Sequence, residues 1–151
     1  MEILAKEEDG LSPFVIHHVR SNRAQHLADQ IVLCYADEPT ALTTHQEALI
    51  RKTELLIRRI GGTYQRIVAN VADDIAYGFI PMQLMIPRSN QRLLRFLSLI
   101  HAFDETIVAI DAAWLSHHIS IGDRSKAIRQ LEGRVYRALE RLNFEENIHA
   151  K

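Results

Sequence analysis

FIPMQLMIPRSNQRLLRFLSLIHAFDETIVAIDAAWLSHH, residues 79–118, decides the fold class, because its apolar pattern changes midway from alternating to nearly continuous. Over Phe79 to Ile86, residues Ile80, Met82, Leu84 and Ile86 share one face and Gln83 and Met85 the other, the period of a half-buried strand. Pro81 cannot donate to a ladder, so this strand belongs at an edge or in a two-stranded ribbon, which is marginal alone. It must pair either with residues 14–20 or with a second subunit. Ser89-Asn90 then caps a helix predicted to reach about His118. Leu93, Phe96, Leu97, Ile100, Phe103, Ile107, Val108, Ile110, Trp114 and Leu115 cover most of its circumference, which makes it the centre of the domain or an interface.

Working outward, FVIHHVR (14–20) is rich in β-branched residues and reads as a second strand, and residues 1–13 form a short acidic lead-in. A helix is predicted from Ser21 to about Tyr35, with Cys34 in its core. Thr44 with Glu47 reads as a capping box for the next helix, whose stripe is Leu49, Thr53, Leu56, Ile60, Tyr64, Ile67 and Val71. The stripe runs through Gly61-Gly62, so one long helix is expected, with a helix–turn–helix break there as the alternative. A last helix is predicted from Asp123 to Leu142, buried along Ile128, Leu131, Val135, Leu139 and Leu142 and followed by a frayed tail.

The 151 residues fit one domain, 14–151, after the lead-in. With a net charge of −1, affinity for a polyanion requires local clustering of cations. A single cysteine precludes an internal disulfide, and neither a signal peptide nor a membrane span is legible, so a cytoplasmic location is expected. No phosphate loop, nucleophile elbow, CxxC or HExxH pattern is present, so neither catalysis nor a cofactor is expected.

Cations do cluster. Of 18 basic residues 14 are Arg, whose planar fork suits phosphates and guanine edges, although a codon bias would produce the same excess. On the last helix Lys126, Gln130, Arg134, Arg137 and Arg141 align apart from the buried stripe, with Glu132 and Glu140 outside the line. Arg51, Lys52, Arg58, Arg59 and Arg66 lie opposite the stripe of the Thr44 helix, and Arg88, Arg92 and Arg95 gather where strand 79–86 meets its helix. A strip of like charge is destabilising unless an anion meets it. DNA phosphate is one such anion and acidic side chains are another.

Asp104, Asp111 and His118 fall seven residues apart on the central helix, some 10 Å per step along the axis, too far for one metal ion. The two carboxylates are expected to be buried and paired with arginines, within the chain or across a dimer. His101 and Glu105, at i and i+4, lie on the more polar side. No metal site is expected.

The segments IPMQLMIP, RLLRFLSLIHAFDETIVAIDAAWLSHHI and SIGDRSKAIRQLEGRVYRALERL resemble the AcaB-like transcriptional regulators of conjugative plasmids and integrative conjugative elements. Phe103-Asp104-Glu105 within the Leu-rich helix is the most specific piece; about 65 residues from Tyr77 to Leu142 carry the likeness and residues 14–72 fit loosely. The resemblance implies a ribbon-helix-helix-like dimer in which two strands pair about a two-fold axis and enter the major groove. The chain departs from that module in a first helix about twice the usual length and in a strand with one outward polar reader, Gln83. Strand 14–20, with His18 and Arg20, is therefore a rival ribbon.

The leading expectation is a mainly α fold with one or two short strands and long additional helices, acting as a homodimeric activator of transfer genes that binds promoter DNA. Phosphates would be held by Arg88, Arg92, Lys126, Arg134, Arg137 and Arg141, with Arg51, Lys52, Arg58 and Arg59 adding charge, while Gln83 would reach a base edge. The alternative is a non-enzymatic interaction subunit of the transfer machinery that docks partners on the apolar helix 90–118.

Overall fold

A computed structural model describes residues 2–3, 13–35, 42–68 and 82–149. The elements run β1 (Glu2–Ile3), β2 (Phe14–Val19), α1 (Asn22–Tyr35), α2 (Thr44–Ile67), β3 (Met82–Pro87), α3 (Gln91–Leu115) and α4 (Ile121–His149). The fold is mainly helical, with an antiparallel sheet of order β1-β2-β3. Glu2–Ile3, part of the expected lead-in, is thus a strand paired with β2. Residues 79–81 of the predicted strand and Val71 of the predicted stripe lie outside the described residues.

Of the two pairings the sequence leaves open for 79–86, β3 pairs with β2 of its own chain, His17 opposite Leu84 and His18 opposite Gln83. The alternation holds: Leu84 and Ile86 are buried while Gln83 and Met85 are exposed.

The sheet packs on α1 and α3, and α2 and α4 pack on α3 and on each other. At about 100° per residue, Arg95 and Asp104 fall on opposite sides of α3. Arg95 bonds to Glu47 and Glu54 of α2, whereas Asp104 meets the chain just after β2. The sheet and α2 therefore flank α3, which is central as its apolar circumference requires. Phe96, Ile100, Phe103, Ile107 and Ile110 are all essentially sealed from solvent. The face proposed by the sequence for docking a partner, helix 90–118, is consumed inside the chain.

Several boundaries move. The capping box of α2 is Thr43 with Gln46, one residue before the expected pair. Its buried positions are Gln46, Ile50, Thr53, Ile57 and Gly61. Thr53 of the predicted stripe is among these, while Leu49, Ile60 and Tyr64 are half-buried against the core beside them, because α2 covers both α3 and α4. The helix does continue through Gly61-Gly62, and a Cβ on Gly61 would lie 2.5 Å from Thr106 Oγ1, so glycine permits the close approach to α3.

Helix α3 stops at Leu115, where His117 takes a φ of 64°. His118 is consequently exposed and off the Asp104–Asp111 line, its Nδ1 2.8 Å from Ser116 Oγ. Helix α4 runs to His149 and does not stop at Leu142, and Ser120 and Asp123 cap it reciprocally. On α1 the buried stripe is Ala24, Leu27, Ala28 and Ile31, which leaves Leu33 and Cys34 exposed; Cys34 is not a core residue. No helix among the described residues is long and apolar enough to cross a membrane.

Candidate nucleic-acid interface

The basic residues of α2 and α4 converge. Between the two helices lies a groove of two adjoining cavities, about 660 and about 360 Å3, sharing Lys52, Leu56 and Arg134. Arg51, Lys52 and Arg59 of α2 line it together with Arg134, Arg137 and Arg141 of α4. All six are exposed. The floor is apolar, from Leu49, Leu55, Leu56 and Ala138, and Leu55 stands 59% exposed within it.

Helix periodicity builds this arrangement. On α4 the buried stripe Ile128, Leu131, Val135, Leu139 and Leu142 turns toward α3 and the core, and the arginines follow at its flank. Arg137 Nε donates to the carbonyl of Gly133 at 2.9 Å, which holds its guanidinium along the helix. Among the described residues one acid lines the groove, Glu47, and it is bonded to Arg95. Among the described residues, no carboxylate pairs with Arg51, Lys52, Arg59, Arg134, Arg137 or Arg141. Among the described residues, the positive charge of the groove is therefore not neutralised by ion pairs.

The acids of α2 and α3 are engaged by other groups. Glu47 and Glu54 converge on Arg95, the Glu54 bond being 2.5 Å, and Arg95 also donates to Ser98 Oγ at 2.7 Å. Asp111 pairs with Arg124 at 2.7 Å, as the expectation of an arginine partner required. Asp104 does not follow that expectation: it accepts the backbone N–H of Arg20 and Ser21 and closes the turn from β2 into α1. His101 and Glu105 form an i,i+4 pair at 2.9 Å. Among the described residues no group of three or more His, Cys, Asp or Glu is placed to hold a metal.

The remaining expected contacts are dispersed. Gln83 and His18 face outward from the sheet, with Gln83 Nε2 3.2 Å from His18 Nε2. Arg20 is half-buried beside them in the chain, and Arg88 is half-buried in the turn after β3, its N–H donating to the carbonyl of Pro13 at 2.9 Å. Arg92 is only 7% exposed, which withdraws it from the surface role the sequence suggested. Arg58 and Lys126 are exposed but do not line the groove. Because α3 separates the sheet from α2, the strand residues and the groove form two surfaces, whereas the sequence reading treats them as one footprint.

Behind the sheet, His17 is 4% exposed, its ring meets that of His101 edge-on at 5.0 Å, and its Nε2 has no hydrogen-bond partner among the described residues. Burial, reinforced by the neighbouring His101, lowers its pKa from 6.5 to about 4. It is a neutral core residue at neutral pH.

The fold is similar to that in the crystal structure of selenomethionine-containing AcaB from uropathogenic E. coli, with a TM-score of 0.56 and 17% identity over 85% of this chain and 76% of that one. No protein-family model matches the chain, and no curated protein matches it in sequence.

Proposed function

We propose that this chain is a non-catalytic DNA-binding regulator that grips the phosphate backbone of a duplex in the α2–α4 groove. The observation that carries the reading is the convergence of six cations, Arg51, Lys52, Arg59, Arg134, Arg137 and Arg141, with no carboxylate pairing them among the described residues. Like charges from two helices repel, and a surface of this kind is compensated when an anion bridges them. A sugar–phosphate strand supplies both the charges for the rims and an apolar edge for the floor.

The likeness in fold to AcaB and the sequence resemblance of residues 77–142 to AcaB-like regulators support a regulatory role. From that resemblance we take the finer reading: an activator of conjugative transfer genes, cytoplasmic, binding promoter DNA as a homodimer. The order β3, α3, α4 is strand-helix-helix, and a two-fold partner would extend the sheet from the edge of β3 that β2 leaves open. Gln83, on the outward face of β3, then has the access and the amide geometry to read adenine.

Fluorescence anisotropy of a labelled duplex, titrated at several salt concentrations, tests the reading. Six phosphate contacts, at about −0.9 each, give a log–log slope of affinity against salt of about −5. Absence of salt-sensitive DNA binding at micromolar protein would overturn it.

A further inference from the structure

A separate, more polar concavity lies away from the groove, where α1, α3 and α4 meet in a cleft of about 610 Å3. That is the size of a small-molecule site, but its lining is unlike a hydrophobic pocket. Ile107 forms an apolar floor, and around it stand Arg23 and Asp29 of α1, Asp111 of α3, and Arg124 and Glu132 of α4.

The charges are fixed by two ion pairs. Arg23 Nη1 meets Glu132 Oε1 at 2.5 Å, and Arg124 Nε meets Asp111 Oδ1 at 2.7 Å while its guanidinium lies 4.9 Å from the centre of the Trp114 ring. Each arginine makes its bond through one nitrogen, leaving further N–H donors of the fork for a second acceptor. Asp29 has no partner among the described residues. The cleft thus combines guanidinium groups held in ion pairs with a carboxylate, Asp29, that no described residue pairs.

We propose that this cleft binds a small zwitterion of the amino-acid class, its carboxylate on Arg23 and Arg124 and its ammonium on Asp29. Elimination leads to the same class. Three carboxylates repel a dianion and two guanidinium groups repel a polyamine, whereas a zwitterion meets both signs of charge at once.

The cleft also has a route to the groove. Helix α4 carries Arg124 and Glu132 toward the cleft and Arg134, Arg137 and Arg141 toward α2. A ligand carboxylate accepting from the free donors of Arg23 and Arg124 shares the guanidinium charge that holds Glu132 and Asp111, the bonds that tie α4 to α1 and α3, so occupancy alters the seating of the basic face. This coupling, unlike the site itself, rests on the DNA-binding reading.

Isothermal titration of the full chain with each proteinogenic amino acid, and with citrate and spermidine as dianionic and polycationic probes, tests the site without DNA. At least one amino acid is expected to bind with a Kd below about 1 mM, and Arg23→Gln and Asp29→Asn, both at exposed positions, to weaken it about tenfold or more. Binding of citrate or spermidine in place of amino acids, no amino-acid binding, or unchanged affinity in both variants overturns the site. The ligand so found is then added at saturation to the DNA titration. A changed DNA affinity is expected, an unchanged one overturns the coupling, and the calorimetric result stands whether or not the chain binds DNA.

Discussion

The carboxylate of Asp104 accepts the backbone N–H of Ser21 at 2.8 Å across 83 positions of sequence. It also accepts the N–H of Arg20 at 3.1 Å, so one side chain of the central helix closes the turn that carries β2 into α1. Ser21 completes the junction by accepting the N–H of Ala24 on its hydroxyl at 3.2 Å. Asp104 is 3% exposed, and water does not replace bonds lost there. Hydrogen bonds to a charged group contribute roughly 1.5–3 kcal/mol each, so Asp104→Ala is expected to lower stability by about 3 kcal/mol or more. Asp104→Asn, which keeps one acceptor oxygen, should lose about half as much. Urea denaturation reads both, and an alanine variant as stable as the parent would remove Asp104 from the account of the fold.

Adjacent glycines in α2 predict opposite signs. A Cβ at position 61 lies 2.5 Å from Thr106 Oγ1, and that hydroxyl is fixed by its 2.8 Å bond to the carbonyl of Ala102. Helix propensity favours alanine by about 1 kcal/mol, whereas overpacking a buried contact costs about 1–3 kcal/mol. Gly61→Ala is therefore expected to be net destabilising. At Gly62 nothing lies within 4 Å of the same Cβ, and Gly62→Ala should stabilise by about 0.5–1 kcal/mol. Thermal melts of the two single variants decide it; shifts of the same sign would contradict the packing of α2 on α3.

His17 predicts acid sensitivity. Burial first, and then His101, lower its pKa from 6.5 to about 4, against a smaller opposing pull from Asp104. Between those values the unfolded chain takes up a proton that the native chain excludes. Stability is thus fully present above about pH 6.5, falls as pH drops toward 4, and flattens below, with this residue contributing at most about 1.4 kcal/mol per pH unit. His17→Leu, placed opposite Leu84 on the core face, should flatten that decline. Chemical denaturation at pH 7, 6 and 5 compares the slopes; equal slopes in the two proteins would rule out His17 as their source.

What the sequence discloses and what it conceals divide along the range of the forces involved. The strand alternation around Gln83 and Met85, the Asn90 cap and the Ile128–Leu142 stripe are local, and each stands as read. Burial of α3 follows from its own composition. Partners do not: nothing near Asp104 in sequence indicates that backbone donors 83 residues away will claim it. Arg92 and Arg134 look alike as members of basic clusters, yet one is 7% exposed and the other rims a groove, because helix packing decides which face is covered. The convergence of Lys52 with Arg137 was not legible, since each basic face was visible but their mutual approach depends on the α2–α4 contact. A helix end is not legible where a single turn residue sets it, as at His117 with its φ of 64°.

The groove and the outer sheet face make separable contributions to DNA binding, and the separation is measurable. Arg134, Arg137 and Arg141 are exposed and pair with no described carboxylate, so replacing all three with alanine should leave the fold intact. Each phosphate contact removed lowers the salt slope by about 1, so the triple variant should lose about 3 from the slope and bind all sequences more weakly alike. Gln83 carries no charge and sits on the far side of α3. Gln83→Ala should keep the salt slope and instead flatten discrimination among sequences, by about 1–3 kcal/mol at the position it reads. If the triple variant keeps the full slope while Arg88→Ala reduces it, the phosphates lie on the strand side and the α2–α4 groove serves another anion.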